Sequence, residues 1–211
     1  MEGRPTDQVY TNLVKMLAYR NVVQVGSALT MDDLAQRLNN LEYVTINGTR
    51  GADDVRGAAT VIIVLIAPGS KYSAKSAEFK KIIKGLPKTK PGEQLEVIFV
   101  SSESLTSHIK RYIDKHRAAN TSLRIEHYDY SFFLIEAPRH VSVPRHTVAT
   151  REEVEAYCKY FYTTKERFPM IRESTDPQAV WLGLRPGMVV RIERPSDTAG
   201  FAVVYRRCVE G

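Results

Sequence analysis

Apolar residues along the chain fall into stretches that recur every three or four positions and stretches that run unbroken. Over residues 6–20, Val9, Tyr10, Leu13, Val14, Met16 and Leu17 share the period of a helix, with Thr6 or Asp7 as its N-cap. A second helix is predicted over 30–41. Thr30 is followed three residues later by Asp33, close to a capping box, and Leu34, Leu38 and Leu41 form the stripe. Tyr43 to Ile46 reads as a strand ended by Asn47-Gly48, a turn signal. Residues 60–66 have no polar alternation and predict a strand buried on both faces. Residues 73–84 are amphipathic, with Phe79, Ile82 and Ile83 inward and Lys80, Lys81 and Lys84 outward. Residues 95–100 predict another continuous strand. Residues 105–119 predict a helix with Ile109, Tyr112 and Ile113 on its apolar side, and 123–135 a long strand or a pair. The order α, α, β, β, α, β, α, β implies a layered α/β domain ending near residue 136.

After Pro138 the texture changes, as Pro144, Pro169, Pro177, Pro186 and Pro195 punctuate short elements. Thr150 with Glu153 three residues on opens a helix over 151–160. Asp176-Pro177 caps another that Gly183 ends. Residues 188–194 and 201–208 predict a hairpin around a longish loop. The boundary is placed at about 137–140. The expected architecture is an α/β N-terminal domain, 1–137, and a small α+β C-terminal domain, 138–211.

Composition narrows the class. The chain has 211 residues, 43% hydrophobic and 26% charged, as an ordinary globular protein does. No apolar run reaches the ~18 residues a membrane span needs, and the polar start Met1-Glu2-Gly3-Arg4-Pro5 does not read as a secretory signal. Two isolated cysteines, Cys158 and Cys208, make neither a disulfide framework nor a metal set and suggest a reducing compartment. The formal net charge of +6 suits contact with a polyanion and adds weak support for it.

Four constellations invite a chemical reading. His140 and His146 flank a proline-containing segment expected to be extended, which would set them ~20 Å apart, too far for one zinc unless the proline turn folds the segment back. Asp53 or Asp54 with Glu78-Phe79-Lys80 imitates a Mg²⁺ nuclease set. Glu78 and Lys80 lie in a helical pattern, however, where i and i+2 diverge, so solvated helix charges are the better reading. Asn47-Gly48-Thr49-Arg50-Gly51 lacks the lysine of a phosphate loop. The helix from His108 to Arg117 is rich in cations that could follow a phosphate backbone, though a solvated face is an equal reading, and nothing near it reads bases. Neither a catalytic site nor a cofactor is expected, and a stand-alone DNA-binding or nuclease-like protein is the alternative class.

The last seventy residues carry a resemblance. His140-Val141-Ser142-Val143-Pro144-Arg145-His146 with Glu152, Phe168-Pro169-Met170-Ile171, Asp176-Pro177, Leu182-Gly183-Leu184-Arg185, Gly187-Met188-Val189-Val190-Arg191-Ile192, Ser196-Asp197-Thr198-Ala199-Gly200 and Tyr205-Arg206 keep their order and spacing. Together they resemble the fifth-largest subunit shared by the eukaryotic nuclear RNA polymerases and its archaeal equivalent. Ser142 and Ala149 stand where that family usually has larger aliphatics. The stretch Ile192 to Ser196 looks more like the homologues of large DNA viruses.

The resemblance implies a non-catalytic subunit of DNA-dependent RNA polymerase with no cofactor of its own. Its C-terminal domain would dock on the largest subunit, among other polymerase subunits, through His140, Pro144, Arg145, His146, Pro177, Trp181, Gly183, Arg185, Gly187, Arg194, Tyr205 and Arg206. Trp181, Val190 and Val204 are expected on an apolar partner face, with a self-sufficient small core as the alternative. The N-terminal domain would be an α/β jaw beside downstream DNA, with Lys110, Arg111, Arg117, Asn120 and Thr121 nearest to it. Cellular members carry a proline-containing loop there, whereas Ala118-Ala119-Asn120-Thr121-Ser122 has no proline. The compartment implied is intracellular: the nucleus for a cellular member, host cytoplasm or virion for a viral one.

Overall fold

The computed structural model describes residues 4–72, 77–87, 93–196, 198 and 200–211. The first three residues, the expected helix start at 73–76, the Leu41 side chain and loop positions 197 and 199 lie outside the described residues. The chain forms two compact units, 1–135 and 136–211, in a two-sheet α/β arrangement. No described helix is long and apolar enough to cross a membrane.

In the first unit, helix α1 (Pro5–Tyr19) is followed by strand β1 (Val23–Val25), α2 (Met31–Leu41), β2 (Tyr43–Arg50) and β3 (Ala59–Ile66). Then come α3 (Phe79–Lys84), β4 (Leu95–Ser101), α4 (Ser107–Ala119) and β5 (Leu123–Asp129). The sheet runs β1-β2-β3-β4-β5, antiparallel across β1, β2 and β3 and parallel across β3, β4 and β5. Helices α3 and α4 pack Phe79, Ile83, Ile109 and Ile113 against Val64, Ile66, Val97, Phe99 and Ile125 on one face. Thr30 caps α2 as expected, its hydroxyl accepting from the Asp33 N–H at 3.1 Å.

Four sequence expectations change. Helix α1 starts at Pro5 with Arg4 as its N-cap and no side-chain cap bond, so neither Thr6 nor Asp7 caps it. Asn47-Gly48 is not a turn. Both residues continue β2, where Gly48 pairs with Gln24 on one side and Val61 on the other. A Cβ at Gly48 would stand 2.4 Å from Val22 Cγ1 and 3.0 Å from the Val23 carbonyl oxygen. The glycine therefore serves close approach of β1, a three-residue edge strand that no periodicity announces. The expected strand over 123–135 stops at Asp129, whose carboxylate accepts the Ser131 N–H at 2.9 Å and starts a 3₁₀ turn, Tyr130–Phe133. The third helix begins at Phe79, after a turn at residues 77 and 78.

On the sheet face opposite α3 and α4, register sets Glu96 beside Arg124 and Ile98 beside Glu126. Arg20, at the end of α1, donates to Glu126 at 3.0 Å, and Arg124 reaches the same carboxylate at 2.7 Å. Arg50 grips Glu96 through both terminal guanidinium nitrogens and donates from Nε to the Gly57 carbonyl at 2.9 Å. Arg20, Glu126, Arg50 and Glu96 are nearly removed from water, so each relies on its partners, while Arg124 stays half-buried. Burial pushes the Glu126 carboxyl up, but Arg20 and Arg124 bring it down to about 2.

Two outcomes follow from this packing. Because its folded value lies below the ordinary 4.5, ionised Glu126 adds stability above that pH, and the contribution is lost as pH falls toward 2. Replacing Glu126 by Gln is expected to cost about 3–5 kcal/mol at neutral pH by leaving Arg20 buried without its carboxylate, and to flatten the acid limb of urea-denaturation stability over that window. Gly48→Ala is expected to lower stability by about 1–3 kcal/mol in the same assay, since Val22 and the Val23 carbonyl must give way.

Candidate assembly surface

The second unit contains β6 (Arg145–Val148), α5 (Arg151–Tyr160), β7 (Met170–Arg172), α6 (Pro177–Leu182), β8 (Val189–Ser196) and β9 (Gly200–Val209), with the sheet in the order β6-β8-β9-β7. The β8–β9 hairpin is longer than the sequence predicts because Pro195 stays within β8, opposite Phe201. Strand β6 ends at the Arg145–Glu193 pair. No ladder bond is lost where Pro195 lacks its N–H.

Cross-strand partners share a face, which sorts the side chains. His146, Ile192 and Val204 form one row and Val148, Val190 and Arg206 the next. On this face α6 lies against β6. The α6 geometry follows its sequence: Asp176 accepts from the Gln178 and Ala179 N–H groups at 2.8 and 3.4 Å, Pro177 opens the helix, and Gly183 closes it in the left-handed region. Trp181 and Val190 are both 0% exposed. They were expected on a partner face, and instead fill the core: α6 turns Trp181 inward, and the β8 register sets Val190 on the sheet face where α6 packs. Val204 is half-buried.

The opposite face carries Thr147, Arg191 and Tyr205 in one row and lies under α5. Thr150 caps α5 by accepting the Glu153 N–H at 3.2 Å. The Glu153 carboxylate takes the Tyr205 hydroxyl at 2.7 Å and lies 3.4 Å from Arg191. Burial, then the bond to Glu153, pushes the Tyr205 phenol up to about 12. The Tyr157 and Tyr205 rings meet at a tilt with centroids 4.5 Å apart, and Phe168, Val189 and Ala149 complete a small core. Helix α5 itself has no fully buried residue.

The signature segment is not extended throughout. The His140 carbonyl accepts the Val143 N–H at 2.9 Å and the His140 ring accepts the Ser142 N–H at 3.2 Å, so the chain turns before β6 begins. His146 Nδ1 lies 2.6 Å from the Pro144 carbonyl, and burial holds its imidazole below the usual histidine range. Both rings are engaged locally, and among the described residues no cluster of three or more His, Cys, Asp or Glu is arranged for a metal.

Pro144, Arg145 and Arg194 are brought together along an open groove of about 740 Å³, with Val141, Pro195 and Phe201 as apolar lining. Arg206 and Arg194 both act electrostatically on His146. His140 is exposed, Arg185 half-buried and Gly187, like Pro177, an exposed turn or cap position. Sequence reading misses the aromatic groove beside α5, formed by Tyr157, Phe161, Phe168, Val203 and Tyr205. Its signal is the run Tyr157 to Tyr162, which places aromatics on more positions than one helical face can bury.

In the first unit Lys110, Arg111, Arg117 and Thr121 are exposed and Asn120 is half-buried. Arg117 also donates to the Ile125 carbonyl, and Asn120 accepts the Ser122 N–H at 3.0 Å, ordering the turn after α4. The nuclease-like set separates into unrelated contacts. Asp54 binds Arg56 and Asn21, both at 2.7 Å, whereas Lys80 lies 3.2 Å from His108 Nε2.

This small unit falls in a recognised class: residues 135–208 match the family model described as RNA polymerase Rpb5, C-terminal domain. An African swine fever virus protein named DNA-directed RNA polymerase RPB5 homolog is 30% identical over 94% of this chain and 95% of its own. The rpabc1 subunit of RNA polymerases I, II and III from Dictyostelium discoideum is 30% identical over 53% of this chain and 56% of its own length. The Rpo5 subunit of Thermococcus kodakarensis RNA polymerase is 42% identical over 34% of this chain and 85% of its own length. The chain belongs to the Rpb5 family of non-catalytic RNA polymerase subunits.

Tyr205→Phe is expected to lower stability by about 1 kcal/mol, measured by urea denaturation of the full chain, because one hydroxyl bond is lost while Glu153 keeps Arg191.

Proposed function

We propose that the second unit docks this chain on the largest subunit of a DNA-dependent RNA polymerase, and that the first unit is a jaw flanking downstream DNA. The observation that carries the reading is the coincidence of the family match, 135–208, with a unit whose outer features are apolar and basic. Val141 and Phe201 are exposed together with Arg145 and Arg194, a mixture suited to the core and rim of a protein interface. The binding surface comprises His140, Pro144, Arg145, His146, Arg185, Arg194 and Arg206. Pro177, Trp181, Gly183, Gly187 and Tyr205 hold its shape.

For the first unit the support is electrostatic. Helix α4 has no acidic residue in its first turn, and Lys110 and Arg111 face solvent. Contacts of this kind follow phosphates and carry no sequence preference. The role is intracellular: nuclear if the chain is cellular, host cytoplasmic or virion-borne if viral.

The test is co-purification of the tagged full chain with polymerase. Arg145→Glu with Arg194→Glu is expected to abolish recovery of the large subunits. Lys110→Ala with Arg111→Ala is expected to leave recovery intact and to reduce the salt slope of DNA binding by about 1 per lost phosphate contact. Loss of polymerase only with the α4 variant would reverse the roles of the two units.

A further inference from the structure

The two edges of β9 are treated differently by the chain. Along one edge β9 pairs with β8 from Gly200 to Arg207 without a break in register. Along the other edge β7 pairs only with Arg207, Cys208 and Val209. Cys208 donates its N–H to the Met188 carbonyl on the β8 side, whereas Arg207 donates to the Pro169 carbonyl on the β7 side, at 2.9 Å. With a period of two, Phe201, Val203 and Tyr205 must aim their N–H and C=O groups the same way as Arg207. No described strand meets them there. Pro169 explains why β7 does not: it accepts the last bond and has no N–H to continue the ladder.

An open edge of this kind is normally blunted by lysine, proline or a bulge. Here its side chains are Phe201, 73% exposed, Val203, 39% exposed, and Tyr205. Beside the edge runs the aromatic groove of about 370 Å³, which also contains Phe161 and Arg167. Arg167 is exposed, with no carboxylate at ion-pair distance among the described residues, and the buried Nε of Arg207 has no hydrogen-bond partner among them. The site thus offers main-chain bonds, apolar sockets at alternate positions, and the exposed Arg167 guanidinium, while Arg207 already interacts electrostatically with Glu166.

We infer that β9 from Phe201 to Tyr205 is a strand-addition site for an extended segment of the polymerase partner, apolar at alternate residues and bearing a carboxylate opposite Arg167. This deepens the assembly reading and rests on it. The segment takes the place that Pro169 denies to β7. A carboxylate suits the charge at the groove, which a second copy of this β9, Phe201 to Tyr205, lacks.

Amide-resolved hydrogen exchange of the full chain, free and in purified polymerase, tests the inference. The N–H groups of Val203 and Tyr205 are expected to exchange fast in the free chain and at least about tenfold slower in the complex. Those of Ala202, Val204 and Arg206, bonded to β8, are expected to be slow in both. Val203→Pro removes an outward N–H without breaking the β8 ladder and is expected to weaken assembly about tenfold or more, whereas Val203→Ala, which keeps the N–H, is expected to weaken it less. Unchanged exchange at Val203 and Tyr205 in an intact complex would overturn strand addition and leave the assembly reading standing. Failure to co-purify at all would overturn both. Protection that rises with the concentration of the free chain would assign the edge to a second copy and overturn the inference.

Discussion

Eight consecutive antiparallel pairs between β8 and β9, from Val189–Arg207 to Ser196–Gly200, fix the second unit. Once that register is set, the period of two decides which side chain meets which layer. Val190, Ile192 and Cys208 go to the side where α6 packs against β6, and Val189 and Tyr205 go beneath α5. A one-residue slip would exchange the two sets, burying Arg191 and Glu193 and expelling Ile192. The groove at Arg145 and Arg194 and the aromatic groove along β9 are both consequences of this ladder. Both open on segments where the hairpin outruns the strands beside it, β6 on one edge and β7 on the other.

The first unit is organised by a different constraint. Its parallel β3, β4 and β5 are covered by α3 and α4 on one face with ordinary apolar packing. The other face holds the Arg20–Glu126 and Arg50–Glu96 pairs, in which four charged side chains are nearly excluded from solvent. Breaking such a pair costs more than its formation gains, because the remaining charge stays out of water with its main counter-ion gone. These pairs therefore tie α1 to β5 and β2 to β4 with more specificity than net stabilisation.

Much of this was legible in the order of residues where the cause is local. Thr30, Thr150 and Asp176 cap their helices because the side-chain oxygen needs only an N–H two or three residues on. The unbroken runs at 60–66 and 95–100 mark the parallel strands. What was not legible depends on contacts distant in sequence. Asn47-Gly48 has the composition of a turn, yet Gly48 is required by Val22 and Val23 packing across it. Glu96, a lone carboxylate in an apolar run, is a sign of a buried partner, but nothing local identifies Arg50. The assembly motif is readable as a family pattern, while the inward position of Trp181 and the outward aromatics after Tyr157 follow only from how α5 and α6 seat on the sheet.

The central claim is that the chain is held in its polymerase by the outer surface of the second unit. Hydroxyl-radical footprinting of the purified, assembled polymerase measures this at single side chains. The account predicts strong shielding of Val141, Phe161 and Phe201 relative to the free chain, while Val55 of the first unit, 52% exposed, stays reactive. Equal oxidation of Val141, Phe161 and Phe201 in the free and assembled states, with shielding confined to the first unit, would contradict it.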